Sequence, residues 1–345
     1  MTIAERTSPS DVRTYTSWVN GRFEEPSGET LEVRDPATWN LIGLIDEAGE
    51  AGIDRAVKAG EAAFPAWSRL PARERAAIVE KLAAAIAARA EEIAQLDALD
   101  TGNPLVAMRN DINKGVHQMH EAAGLAFETK GETFPLPGLH YTTREPWGVV
   151  ARMVTFNHPA MFTVSRIATA LVAGNCVIIK PSELAPLSPL LIAEITAGIV
   201  PDGVINVVVG GPKTGAAIAA HRSLLRITFT GSTPTALRIA AAAAASGRIK
   251  SMTFELGGKN PIVVFPDVDI EETATAIVRG MNYARVQGQS CGATSRLIIH
   301  ESIAERVLEQ VVERTSRIRI GMPTDPTTEM GAMITRDARS RVVGL

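Results

Sequence analysis

The amino-acid sequence predicts an α/β fold: a mostly parallel sheet covered by helices on both faces, followed by a second, smaller α/β unit. Three observations carry this. From Gly148 onward, short β-type runs alternate with helical stretches. Those runs (VVARMVTF, NCVIIK, INVVVGG, RITFTGS and SMTFELGG) are apolar almost throughout, as strands buried on both faces must be. At 345 residues the chain also exceeds what one hydrophobic core usually serves.

The elements follow in order. TYTSWVNGRFEEPSGETLEVRDPATWNLIGLID alternates short β-type runs with turn residues, and Asn20-Gly21 is a two-residue hairpin signature. From Glu50 to about Phe127 the pattern is helical. AAIVEKLAAAIAARAEEIAQL carries apolar residues three and four apart, and TGNP at Thr101 to Pro104 breaks it. The Pro-rich ETFPLPGLHYTTREPWG reads as a linker or a projecting hairpin. In the sheet region, helices are predicted over MFTVSRIATALVAG, PLSPLLIAEITAGIV, a short stretch ending at Ala220, and TPTALRIAAAAAAS, whose alanines favour helix. PIVVF, one helix over Asp269 to Arg285, SRLIIH and the helix ESIAERVLEQVVERTSRI open the second unit. The sequence holds no internal repeat.

Composition narrows the function classes. With 46% hydrophobic and 21% charged residues, the chain reads as an ordinary soluble globular protein. A formal net charge of −3 and the lack of a Lys/Arg run argue against a nucleic-acid partner. No membrane association is expected, because the apolar stretches are interrupted well short of the roughly 20 residues a spanning helix needs. MTIAERTSPSDVRTYTSW lacks the apolar core of a secretory signal, so a cytoplasmic location is expected. The two cysteines, Cys176 and Cys291, make neither a disulfide framework nor a zinc quartet. Cys176, inside NCVIIK, reads as a small buried hydrophobe. His117 and His120 lie three apart on a predicted helix without acidic or Cys partners at metal spacing, so no metal site is expected.

The stretch GQSCGATSRLIIH sets two nucleophiles side by side. As Gly-x-Ser-x-Gly it would make Ser290 an elbow serine, which sits between a strand that ends at it and a helix that starts after it. Here a helical stretch precedes and a β-run follows, and no Asp and then His lie downstream. Context therefore argues against Ser290. Cys291 asks for less, since sulfur is intrinsically nucleophilic and backbone amides or a helix end can favour its thiolate. Its neighbours Gly288, Ser290, Gly292 and Ala293 are small enough to admit a carbonyl.

Charged residues at strand ends are the other candidates. Glu255, in FELGGKNP, follows an apolar run at the carboxyl end of a strand, where parallel sheets open their ligand crevice. On position alone, a solvent-facing strand-end carboxylate fits equally well. The same two readings hold for Lys180 and Glu183 in IIKPSE. FTGS, Phe229 to Ser232, is a strand, a Gly turn and a helix start, and a helix amino terminus presents N–H groups to phosphate. It is no GxGxxG fingerprint, and GGPKTG is no P-loop, because Pro212 replaces the Gly before Lys.

Taken in order, TFNHP, IIKPSE, FTGS, FELGGKNP and GQSC resemble the aldehyde dehydrogenase superfamily, over the chain from about Trp18 to its last residue; VNGRF and DPAT fit the same pattern. The resemblance implies a Rossmann-like NAD-binding domain over 1–127 and 147–257, a projecting oligomerisation hairpin over 128–146, and a catalytic domain from 258 to 345. It implies NAD(P)-dependent oxidation of a small-molecule aldehyde to a carboxylic acid. Cys291 would attack the aldehyde to give a thiohemiacetal. The Asn157 amide and the Cys291 backbone N–H would hold the oxyanion, at about 3 kcal/mol per donor. After hydride transfer leaves a thioester, Glu255 would activate the hydrolytic water. Lys180 and Glu183 would bind the adenosine ribose and Ser232 the pyrophosphate, with Thr155, Phe229 and Gly231 beside them. A carboxylate at Glu183 repels a 2′-phosphate, which favours NAD over NADP. A homo-oligomer is the family expectation.

Three departures bear on this. Thr155 and His158 flank Asn157 where many relatives carry other residues, which is expected to change the mouth of the site; His158, Met161 and Phe162 are candidate aldehyde contacts. Ala236 stands where the family usually has a second Gly after FTGS, and its methyl is expected to crowd the cofactor. Relatives also continue past ITRDARSRVVGL, so the resemblance implies an incomplete catalytic domain, uncovered apolar faces and a weakened oligomer interface. The alternatives are a catalytically silent chain that binds dinucleotide or a partner, and a thioesterase-like hydrolase using Cys291 and Glu255. A CoA-acylating dehydrogenase is disfavoured, because that branch usually lacks the Glu.

Overall fold

A two-residue turn sets one edge of the main sheet. The computed structural model describes residues 12–345; residues 1–11, on which part of the secretory-signal reading rests, lie outside the described residues. After β1 (Thr14–Tyr15), β2 (Trp18–Val19) and β3 (Arg22–Phe23) pair antiparallel across Asn20 and Gly21. Both turn residues have positive φ, 51° and 78°, as a tight primed hairpin requires. β4 (Thr30–Arg34) and β5 (Leu41–Asp46) form a small separate sheet with β1.

Four helices follow: α1 (Gly49–Arg69), α2 (Ala72–Ala88), α3 (Ala90–Thr101) and α4 (Leu105–Gly124). Gly102 ends α3 with φ 77°, and a Cβ there would meet the Ala332 carbonyl oxygen at 2.5 Å, so only glycine serves. β6 (Thr133–Phe134) and β7 (His140–Tyr141) pair only with each other, within a stretch, 127–145, that is exposed throughout.

Strands and helices then alternate: β8 (Val149–Met153), α5 (Pro159–Val172), β9 (Cys176–Lys180), α6 (Leu187–Ile195), β10 (Ile205–Val207), α7 (Pro212–Ala220), β11 (Arg226–Thr230), α8 (Thr233–Ala245) and β12 (Ser251–Glu255). The sheet order is β12-β11-β8-β9-β10-β2-β3. The five strands from β8 to β12 run parallel, and β2 joins β10 antiparallel. The chain winds outward from β8 through β9 to β10, then returns to place β11 on the other side of β8. That reversal is a topological switch point, where the loops beyond β8 and β11 part and leave a crevice.

The second unit pairs β13 (Asn260–Val264) with β14 (Thr294–Ile299) in parallel. Between them the expected single helix over Asp269 to Arg285 is two: α9 (Ile270–Gly280) and α10 (Tyr283–Val286). Asn282, at φ 56°, takes a left-handed conformation that no helix continues through. Asp269 caps α9 by accepting from the Glu272 N–H at 2.8 Å. α11 (Glu301–Ser316) and α12 (Arg336–Val343) complete the chain.

Two apolar clusters result. The larger runs through the sheet and α1 to α8 and takes in Val286 from α10. The smaller holds Val264, Ala274, Ile277, Ile303, Val307 and Val311. Val263 and Ile298, directly paired across β13 and β14, face outward beside Phe265 and are at least half exposed.

Candidate functional site

The switch point holds a cavity of about 530 Å³. Its walls come from the carboxyl ends of three strands. Thr155 and Phe156 follow β8, Lys180 ends β9 with Glu183 just beyond it, and Phe229 to Ser232 close β11. All six residues expected at the cofactor therefore line one cavity. Thr235, Arg238, Ile239 and Ala242 line it from one face of α8, at helical spacing. Ala236 is 4% exposed and is not among the lining residues. Its methyl is therefore not part of this cavity's wall.

Two helices start at this cavity, and their ends differ. The α7 end is occupied internally: the buried Glu47 carboxylate accepts from the N–H groups of Gly211 at 2.8 Å and Thr214 at 3.0 Å. The α8 end carries its own cap, with the Ser232 hydroxyl accepting from the Thr235 N–H at 3.4 Å, and Ser232 faces the cavity. A Cβ at Gly231 would come within 2.4 Å of the Phe229 ring, so any larger residue here would push that ring aside. Phe229 in turn meets Phe254 edge to face at 6.4 Å.

Lys180 is buried at the cavity floor, not a solvated charge. Its Nζ donates to the Pro181 carbonyl at 3.0 Å and lies 3.7 Å from Glu183 Oε2. Burial lowers its pKa, opposed by the carboxylates of Glu183 and Glu47. A buried ammonium with one short hydrogen bond and a half-exposed carboxylate beside it has donor capacity left for a ligand hydroxyl.

Cys291 is exposed in the loop between α10 and β14. That loop is tied down on several sides. The Asn157 side chain donates to the Gln289 carbonyl at 2.8 Å, the Gln287 side chain donates to the Gly102 carbonyl at 3.1 Å, and Ile334 N–H donates to Gln289 Oε1 at 3.2 Å. Asn260 donates to the carbonyls of Cys291 at 2.6 Å and Ala293 at 3.1 Å. Gly258 packs so closely that a Cβ would lie 3.0 Å from the Cys291 carbonyl oxygen. Glu255, exposed at the end of β12, opens the segment that makes these last contacts. No hydrogen bond joins Glu255 to Cys291 among the described residues. Cys176 is fully buried, and burial pushes its thiol up to about 12. Among the described residues no cluster of His, Cys, Asp and Glu could hold a metal ion.

His158 does not open onto the site mouth. It is 5% exposed and turned inward, its Nδ1 hydrogen-bonded to Asp111 on α4, with its ring edge-on to Phe162 at 5.5 Å. Met161 is buried as well. Asp111, with no exposed surface, also accepts from Arg285 on α10. Burial raises the Asp111 pKa, but the hydrogen bonds and charges of His158 and Arg285 outweigh it and hold the carboxyl below its ordinary value. Asn103 completes the surround by donating to the Asn157 carbonyl at 3.0 Å. Sequence reading missed Asn103, Asp111, Arg285 and Gln289. Asn260 could have been found, since it lies inside FELGGKNP.

A parallel sheet with a crevice at its switch point and a helix amino terminus in the crevice wall defines a doubly wound α/β protein with a nucleotide-type cavity. The chain belongs to the aldehyde dehydrogenase family, whose profile matches residues 23–345. It is 39% identical over 331 residues to aldehyde dehydrogenase tropH of Talaromyces stipitatus, covering 94% of this chain and 64% of that protein. The crystal structure of PnpE from Pseudomonas sp. WBC-3 superposes with a TM-score of 0.91 at 40% identity, covering 96% of this chain and 68% of that one. PnpE has also been solved in complex with nicotinamide adenine dinucleotide. An NAD-dependent aldehyde dehydrogenase from Sinorhizobium meliloti gives a TM-score of 0.91 at 31% identity, covering 99% and 68%. The chain thus spans about two thirds of the length of these relatives.

Proposed function

We propose that this chain carries the dinucleotide seat and the reacting thiol of an NAD-dependent aldehyde oxidation. The observation behind the reading is the double tether of the Cys291 loop. Asn157 holds it from the end of β8, and Asn260, just past Glu255, holds it from the other side. The cavity fits a dinucleotide through its buried Lys180, the Glu183 carboxylate and the α8 end bearing Ser232. NAD-bound PnpE supports NAD as the cofactor. When bound there, the nicotinamide supplies the hydride acceptor.

In this reading Cys291 Sγ attacks the aldehyde carbon, and the negative charge moves to the former carbonyl oxygen. The Asn157 amide has a second N–H beyond the one given to Gln289, and together with the Cys291 backbone N–H it stabilises that oxygen. The carbon, once oxidised, is left as a thioester on Sγ. Glu255 takes a proton from a water molecule, which adds to the thioester, and the acid leaves as the thiolate reforms. Lys180 and Glu183 orient the cofactor by its ribose hydroxyls.

The test is NADH formation, followed by absorbance, with short and aromatic aldehydes, run beside Cys291→Ala. Turnover lost in the variant supports the reading; turnover retained overturns it. A second reading is favoured by the outward-facing Val263, Phe265 and Ile298, an apolar face open to a partner: a chain that binds dinucleotide or a partner without thiol turnover. NAD binding with no NADH formed selects it.

A further inference from the structure

A second cavity, larger than the first, lies away from the switch point. It measures about 960 Å³ and is formed between α4 of the first unit and α9, α10, the end of α11 and residues 326–329 of the second. Its lining is strongly cationic: Lys114 from α4, Arg279 from α9, Arg285 from α10, and Arg314, Arg317 and Arg319 at and beyond the end of α11. Glu329 is the one acidic residue among the lining residues, in a chain whose formal net charge is −3.

Local structure accounts for part of this. Arg279, Arg285 and Arg314 sit in last helical turns, where a cation complements the helix dipole. The dipole explains a cation at each end; it does not explain why the three side chains converge on one space with three further cations. Ion pairing compensates only part of the charge: Arg285 is paired with the buried Asp111 and Arg314 with Glu271. Lys114 and Arg279 have no salt-bridge partner among the described residues. Arg319 pairs with Glu329 at 3.5 Å, with side chains 65% and 40% exposed, and Arg317 with Glu313 at 73% and 44%. Such exposed pairs are weak, so their guanidiniums can be redirected at little cost.

We propose that this cleft binds a small polyanion carrying at least two phosphate or carboxylate groups. Five of the six cations are arginines, whose planar fork matches the two oxygens of either group bidentately. The volume suits a small molecule, and with cations on both units the ligand bridges them. Arg285 gives the cleft a physical link to the candidate site, because the same side chain reaches the buried Asp111 and, through it, His158 beside Asn157.

The test is isothermal titration calorimetry of the purified 345-residue chain at low ionic strength, with sodium tripolyphosphate and, separately, citrate. Saturable binding of at least one probe is expected, unaffected by saturating NAD and weakened about tenfold or more in Lys114→Ala/Arg279→Ala, about 1.4 kcal/mol or more. Tripolyphosphate alone assigns the cleft to phosphates, and citrate alone to carboxylates. Circular dichroism verifies that the double variant is folded, and single Arg279→Gln serves if it is not. Absence of saturable binding by both probes, binding undiminished in the folded variant, or displacement by NAD overturns the proposal.

Discussion

Asn157 gives its side-chain amide to the backbone carbonyl of Gln289 at 2.8 Å, two residues before Cys291. One side chain thereby joins the end of β8, where the first cavity begins, to the loop that presents the thiol. Truncation removes both the tether and the proposed oxyanion donor. Asn157→Ala is therefore expected to slow the NADH burst by about 10²-fold to 10³-fold, the usual loss for one oxyanion donor. NAD affinity, measured by fluorescence titration, stays within about twofold. A burst at the wild-type rate contradicts the role.

The two thiols differ in a way that can be read without turnover. Cys291 is exposed, whereas Cys176 is buried in β9 with its pKa pushed up to about 12. The thiolate is the reacting form, so burial and a raised pKa both protect Cys176. Iodoacetamide at pH 8 is expected to add one label to the native chain, none to folded Cys291→Ala, and a second only on unfolding. Mass spectrometry counts the labels. Two labels on the native chain mean that β9 opens more readily than its burial implies.

No hydrogen bond joins Glu255 to Cys291 among the described residues; the segment that follows Glu255 reaches the Cys291 backbone instead. Asn260 and Gly258 contact the Cys291 carbonyl, and Glu255 lies a few residues upstream of both. A base that acts through a water needs no direct hydrogen bond to the thiol. Glu255→Gln keeps the shape and loses the base, so it should form about one NADH per chain and then stall as the thioester. Steady-state turnover at the wild-type rate argues against the assignment.

Much of this architecture is legible in the sequence because it rests on local pattern. The apolar runs from VVARMVTF to SMTFELGG become β8 to β12, and Asn20-Gly21 makes its turn because both residues tolerate positive φ. The six residues expected at the cofactor gather at one cavity because each lies at or just past the carboxyl end of a strand, and parallel strands bring those ends to one edge of the sheet. Asn157, Glu255 and Cys291 are not among its lining residues. What stayed hidden depends on long-range pairing. Nothing in LVAMRNDINKG marks Asp111 as the partner of His158 and Arg285, 47 and 174 residues away. The helix expected from Asp269 to Arg285 breaks at Asn282, whose left-handed backbone lies between α9 and α10. His158 was read as a site-facing residue from its neighbour Asn157, but consecutive side chains at a helix start point in different directions.

Asp97 shows a further buried acid with a measurable consequence. On α3, without exposed surface, it accepts from the Ala160 N–H at 3.3 Å at the start of α5 and from the Ser188 hydroxyl on α6. Burial raises its pKa to about 8; the hydrogen bonds of Ser188 and Ala160 oppose this and the Asp111 charge adds to it. The folded chain therefore holds a proton that the unfolded chain releases near pH 3.8. The stability tied to that proton is complete below pH 3.8 and drains away as pH rises towards about 8, by at most about 1.4 kcal/mol per pH unit. Asp97→Asn keeps an acceptor for Ala160 and offers an amide to Ser188 without the titration. Thermal unfolding from pH 5 to 8 should thus show a falling Tm for the wild type and a flatter profile for the variant, which overtakes it at the alkaline end. Parallel profiles would mean that Asp97 is already ionised in the folded chain at pH 5, with the two helix starts sharing its charge.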